Sequence, residues 1–146
     1  MIKRGFTLME VMVVIGILIL LVIIGIPALR IGQQSTEVRA DARTLLNDLR
    51  LTQQLTVGEQ TTHLIKIFTA TPHKYHLVKR EGSDTVIKER LLTSGITWQN
   101  SGGFTNNEII FTTTGAVVEA GTVILQNTAA KTVSVEIKPS GYVRVN

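Results

Sequence analysis

The sequence of 146 residues contains no cysteine, which excludes a disulfide framework, a thiolate metal site and a cysteine nucleophile in any compartment. It also has no long run of like charge. The 15 Lys and Arg against 11 Asp and Glu give a formal charge of +4, a weaker basic excess than a dedicated nucleic-acid module carries. The glycines follow no phosphate-binding order, and no nucleophile motif is present. At 16.0 kDa the chain has room for one domain, and two large ones are excluded. What is abundant is apolar sequence, 44% of residues, with a mean hydropathy of +0.24 to which one block near the start contributes most. The chain reads as a membrane anchor plus a domain.

That block, VMVVIGILILLVIIGIPAL from Val11 to Leu29, holds no charge, and as a helix rising about 1.5 Å per residue it spans roughly 28 Å, a hydrocarbon core. Lys3 and Arg4 precede it and favour a cytoplasmic start, with the remainder facing outward. A cleaved secretory signal fits poorly: its apolar stretch is usually about 7 to 15 residues and ends at small residues, whereas Ile26-Pro27-Ala28 begins with a bulky one. Glu10 stands at the edge of the run. Inside a membrane an acidic residue costs about 2.5 to 3.5 kcal/mol at a helix centre and less near an end, so it calls for a partner. A cut after Gly5 would place a new amino group on Phe6 about one helical turn away, able to offset the carboxylate in the same chain or in a neighbouring copy.

The segment Lys3-Arg4-Gly5-Phe6-Thr7-Leu8-Met9-Glu10-Val11, followed by an uninterrupted apolar helix, resembles the class III signal of type IV pilins and type II secretion pseudopilins. The resemblance implies cleavage by a prepilin peptidase between Gly5 and Phe6, N-methylation of Phe6, and a role for Glu10 in assembly. It also implies a helix kink at Pro27, where the proline's missing N–H and steric clash predict a bend.

Beyond Pro27 the helical pattern continues. Val38, Ala42, Leu45, Leu46 and Leu49 recur at spacings of three and four, with Glu37, Arg39, Asp41, Arg43, Asp48 and Arg50 among them, an amphipathic helix with one apolar face. Gly58 reads as its stop. Eight short, mostly β-branched runs follow: 63–68, 74–79, 85–88, 96–98, 108–112, 122–126, 132–137 and 142–145. Turn signals at Pro72, Gly82, Gly102-Gly103, Asn106-Asn107, Gly115, Gly121 and Pro139-Ser140-Gly141 separate them. The expected fold is α+β: a long N-terminal helix, transmembrane then amphipathic, packed by its 38–49 stripe on an antiparallel β-sheet outer domain. The boundaries expected are a leader at 1–5, the transmembrane or filament-core helix at 6–29, its amphipathic continuation at 30–58, and the β-rich domain at 59–146.

Within the β-rich half, Ile109-Ile110-Phe111-Thr112-Thr113-Thr114-Gly115, a strand such as Thr122-Val123-Ile124-Leu125, then Val133-Ser134-Val135 and Gly141-Tyr142-Val143-Arg144 resemble the C-terminal pattern of minor pseudopilins of GspH or FimT type. DNA-binding FimT-like proteins tend to end in Gly-Arg-x-Arg. Here Tyr142 takes the first Arg place, leaving Arg144 as the candidate DNA contact.

No catalytic constellation emerges. His73 and His76 lie three apart, which on a strand means opposite faces, and no further ligands complete a metal site. Glu81, Asp84 and Glu89 alternate with Arg80, Lys88 and Arg90 and read as a solvated face rather than a calcium site, and the calcium loop of the major pseudopilin is not evident. Lys66, Lys74, Lys79, Arg80, Lys88, Arg90 and Arg144 could gather into a phosphate-binding patch, but without Lys3 and Arg4 the net charge falls to +2.

The reading is therefore of a minor pseudopilin, a structural subunit with no enzyme activity, metal or cofactor. The resemblance implies as partners other pilins or pseudopilins in a hetero-oligomeric filament, the prepilin peptidase, the assembly platform protein and ATPase, and membrane lipid. The expected location is the inner (cytoplasmic) membrane, crossed once, with the C-terminal domain outside the cytoplasm. A FimT-like minor pilin that takes up DNA, or a major pilin, are the alternatives.

Overall fold

The computed structural model describes the backbone from Thr7 to Asn146, and the side chains of that stretch other than those of residues 24–34. The leader and Phe6 lie outside the described residues, as does the side chain of Pro27, where the kink is expected and the backbone is assigned as helix. The chain divides into two compact units, one up to Gln33 and one from Gln34 to Asn146.

Helix α1 is assigned over Leu8–Glu59. Thr7 caps its start: the Glu10 N–H donates to Thr7 Oγ1 at 3.3 Å, so Thr7 and Glu10 occupy the first and fourth positions of a capping box. The helix ends past Gly58, the expected stop. Gln60 takes the left-handed turn instead, with φ of 51°, while Gly58 stays within the helix.

In the second unit the buried side of α1 is Val38, Ala42, Leu45, Leu49, Thr52 and Thr56. The two threonine hydroxyls donate to the carbonyls of Asp48 and Thr52, one turn back, and the Thr56 hydroxyl also accepts the His63 N–H of β1 at 3.3 Å. Burying a leucine such as Leu45 or Leu49 contributes about 1.5 to 3 kcal/mol.

All eight expected strands form: β1 Thr62–Phe68, β2 Lys74–Glu81, β3 Ser83–Leu91, β4 Ile96–Asn100, β5 Glu108–Ile110, β6 Gly121–Asn127, β7 Thr132–Ile137 and β8 Val143–Val145. A short 3-10 turn, Thr105–Asn107, precedes β5. They divide between two four-stranded sheets rather than one, ordered β3-β2-β1-β5 and β4-β6-β7-β8, with every pairing antiparallel. The division arises because β5 returns to pair with β1, and β4 pairs forward with β6. One core joins α1 to both sheets, including Ile65 and Tyr75 from the first and Leu125 and Val135 from the second. Trp98 of β4 packs edge-on to Tyr75 of β2, and its indole N–H donates to the Phe68 carbonyl at the end of β1, so the sheets meet through a satisfied polar atom.

Asp48 departs from expectation. It lies within a charged run but is 4% exposed. Its carboxylate accepts the Tyr75 hydroxyl at 2.8 Å and Lys88 Nζ at 2.6 Å, with Arg90 Nε at 3.4 Å. Burial, then the bond to Asp48, pushes the Tyr75 phenol well above its usual range, keeping it a neutral donor.

Two glycines fix how the loops meet the helix. Gln53 Nε2 donates to the Gly115 carbonyl at 2.6 Å. Gly141, with φ of +79°, passes so close that a Cβ would overlap both that carbonyl oxygen and the Gln53 amide. Gly141→Ala combines a backbone conformation that L residues avoid with a steric overlap, and is expected to destabilise the chain by on the order of 2 kcal/mol. Urea unfolding of the full chain in detergent measures this; a change under about 0.5 kcal/mol, the range of ordinary surface substitutions, would show that the loop yields freely.

Candidate assembly site

Two regions carry the residues singled out by the sequence: the start of α1 and the charged surface of the second unit. Every described side chain from Thr7 to Ile23 is exposed, from 44% at Val11 to 81% at Leu8 among the large apolar ones. A helix apolar on all sides needs lipid or other helices around it. Among the described residues, no helix is long and apolar enough to cross a membrane; the apolar run is described with its side chains only as far as Ile23.

Glu10 sits in the first turn of this helix, where the exposed N–H groups favour a carboxylate. The cap by Thr7 is a local role that the Thr7-x-x-Glu10 spacing could have shown in advance. It engages the Glu10 backbone only: among the described residues the carboxylate has no hydrogen-bond or ion-pair partner.

On the second unit the structure does bring the basic residues of β1 to β3 together, each against a carboxylate. Lys66 meets Glu108 at 3.0 Å, Lys74 meets Glu89 at 3.0 Å, and Lys79 meets Glu59 and Glu81, each at 3.1 Å. Arg80 donates to both oxygens of Asp84 and of Glu108, while Lys88 and Arg90 face Asp48. Arg144, on β8, donates to Glu136 at 3.0 Å. The patch that could have served phosphates is thus engaged internally, each cation against a carboxylate of the same unit.

Two of the three histidines, His63 and His76, have local partners. His63 is buried, with Nδ1 2.9 Å from the Thr61 carbonyl and Nε2 3.6 Å from Glu59. His76 lies against the Phe68 ring and 3.3 Å from Glu89. His73 falls just before β2. Among the described residues no group of three metal-ligating side chains gathers.

Asp48 is the residue that the sequence reading left on the wrong surface. Its spacing from Leu45 and Thr52, three before and four after, was the available signal for a buried position.

Glu108 gives this surface its acid response. Hydrogen bonds from Arg80 hold its carboxyl below the usual range against the opposing effect of burial, with Lys66 adding to the same effect; Arg80 likewise lowers Asp84, and Lys74 lowers Glu89. A carboxyl depressed in the folded state contributes stability above its unfolded pKa of about 4.3, lost as pH falls through the folded value. Stability is therefore expected to decline below about pH 4.3, and Glu108→Gln to lower stability at neutral pH while flattening that acid limb. Unfolding titrations from about pH 3 to about pH 7 test this; an acid limb equally steep in the variant would assign it to other groups.

The family model described as Type II transport protein GspH matches residues 41–141. No curated protein matches the chain in sequence. Two solved structures of the minor pseudopilin EpsH from the type 2 secretion system of Vibrio cholerae are similar in fold. One aligns with a TM-score of 0.64 at 12% identity, over 75% of this chain and 96% of that one; the other reaches 0.62 at 12% identity, over 76% and 94%. The helix-on-antiparallel-sheet architecture is the fold shared with EpsH, while the family match spans most of the outer domain, including β1 to β7 and both glycines that dock on Gln53. The chain belongs to the GspH family of type II transport proteins.

Proposed function

We propose that the chain is made with a leader at 1–5 and cut between Gly5 and Phe6 by a prepilin peptidase. N-methylated at Phe6, it then waits in the inner (cytoplasmic) membrane with its β-rich domain outside the cytoplasm. From there an assembly platform protein and its ATPase draw it into a pseudopilus with other pseudopilins, where it acts as a structural subunit rather than an enzyme. Its apolar helix leaves lipid for the company of similar helices. Pro27 supplies the bend that close packing of such helices uses.

The observation that carries this reading is the Glu10 carboxylate, which stands without a partner among the described residues at the start of an apolar helix whose side chains are exposed as far as Ile23. In the assembled state it meets the Phe6 amine of an adjacent subunit. A charge left unpaired away from water is strongly unfavourable, on the order of 3 to 5 kcal/mol when one partner of a buried pair is removed. Pairing therefore rewards one axial register between neighbouring helices.

Intact mass and N-terminal sequencing of the chain from its native membrane, with and without the peptidase, test the processing. Loss of Met1 to Gly5 with one added methyl on Phe6 is expected, and an intact leader overturns it. Glu10→Val is expected to be processed normally but to enter the filament at least about tenfold less, the equivalent of about 1.4 kcal/mol. Incorporation at the normal level would remove the proposed role of Glu10.

A further inference from the structure

Helix α1 in the second unit presents three kinds of side chain on three sides. The apolar side enters the core, and Asp41, Asp48 and Glu59 turn toward the strands and loops. Asp41 accepts from the N–H and hydroxyl of Thr93 at 2.8 and 3.0 Å, Asp48 holds Tyr75 and Lys88, and Glu59 holds Lys79. The third side carries Arg39, Arg43 and Arg50, spaced by four and seven residues so that they fall on one line along the helix. All three are exposed, and among the described residues none has a carboxylate within ion-pair distance. Arg39 and Arg43 also line a cavity of about 390 Å³ with Lys131, Thr132 and Val145. Asn146, the last residue of the sequence, lines the same cavity; like charges four apart on a helix disfavour the isolated helix, and among the described residues no side-chain carboxylate forms an ion pair with them.

We infer that this arginine stripe is a docking surface for an acidic helical face of a different pseudopilin. The inference rests on the assembly reading above and adds the partner's chemistry to it. Guanidinium forks match carboxylates two bonds at a time, and an aligned series fixes register as well as attraction. Charge complementarity points away from a second copy of this chain. Of its 11 acidic residues only Glu10 and Glu37 have carboxylates without a hydrogen bond or ion pair among the described residues. A second copy therefore offers a single free carboxylate on its α1 beyond the apolar run, against three aligned arginines. A subunit whose own helix keeps several carboxylates outward satisfies the stripe.

The absence of native cysteine allows a clean test on the full chain in cells producing the complete secretion machinery. Asn47→Cys, exposed between Arg43 and Arg50, carries a maleimide-linked benzophenone; Val13→Cys in the apolar run serves as a separate reporter of assembly. The expected product at position 47 is an adduct with another pseudopilin, mapped by mass spectrometry to an acid-rich helical peptide. It should fall at least about tenfold in the Arg39→Glu, Arg43→Glu, Arg50→Glu background and persist in the corresponding Lys background, where charge is kept. An adduct to a second copy, to lipid or to nucleic acid overturns the proposal, as does no adduct at 47 while Val13→Cys still crosslinks. Failure at both positions overturns the assembly reading and the docking surface with it. The adduct at Asn47→Cys decides the matter even where the charge-reversed chain does not fold.

Discussion

Asp48 ties the outer domain to its helix. The carboxylate is held by a phenol from β2 and an ammonium from β3, so the first sheet is fastened to α1 at one defined turn and not merely pressed against an apolar stripe. Apolar contact alone tolerates sliding, because Leu45 and Leu49 bury nearly as well one turn over. A buried charge does not tolerate it, since displacement by a turn would strand the carboxylate among apolar groups. Position along the helix is therefore set by electrostatics and adhesion by burial. Trp98 passes the same register to the second sheet through Tyr75 and the Phe68 carbonyl.

The glycines act at the other end of this arrangement. Gln53 lies a little more than one turn beyond Asp48, and it reaches the loop that Gly115 and Gly141 form together. No side chain fits between the two backbones there. Strand β8, which follows Gly141, pairs with β7 directly beyond the point where the loop rests against α1. Gly115 and Gly141, which lie within the stretch matched by the GspH family model, thus mark where loop backbone must touch helix side chain.

Much of this was legible in the sequence, and the parts that were not share a cause. Strand positions follow from alternation and turn residues, and the buried stripe from Val38 to Leu49 follows from its period. The assignment of eight strands to two sheets was hidden, because the pairings β1 with β5 and β4 with β6 join segments distant in sequence, which no local pattern records. Asp48 was hidden by its neighbours: among Glu37, Asp41, Arg43 and Arg50 it reads as one more solvated charge, and only its partners Tyr75 and Lys88, far along the chain, make burial tolerable. The helix end shifted because Gly58 reads as a stop, whereas Gln60 takes up the left-handed turn. At the start of α1, the expense of Glu10 beside apolar sequence was visible, and its cap by Thr7 was visible in the spacing but unread. Pairing of the basic residues on β1 to β3 could not be seen, since it depends on cross-strand neighbours such as Arg80 and Asp84 or His76 and Glu89.

The distribution of charge along α1 follows from the same constraint. A carboxylate turned toward β2 and β3 meets Lys79, Lys88 and Arg90, so acids on that side of the helix are neutralised by the fold itself. An arginine there would face cations. The described basic residues on this part of α1, Arg39, Arg43 and Arg50, are thus on the side away from this sheet, where among the described residues no side-chain carboxylate lies within ion-pair distance of them. The internal need to hold the sheet leaves an outward line of guanidinium groups as its consequence. In the proposed filament, where this helix lies beside others, that line would be an electrostatic requirement placed on the neighbour, as the proposed pairing of Glu10 would be at the helix start.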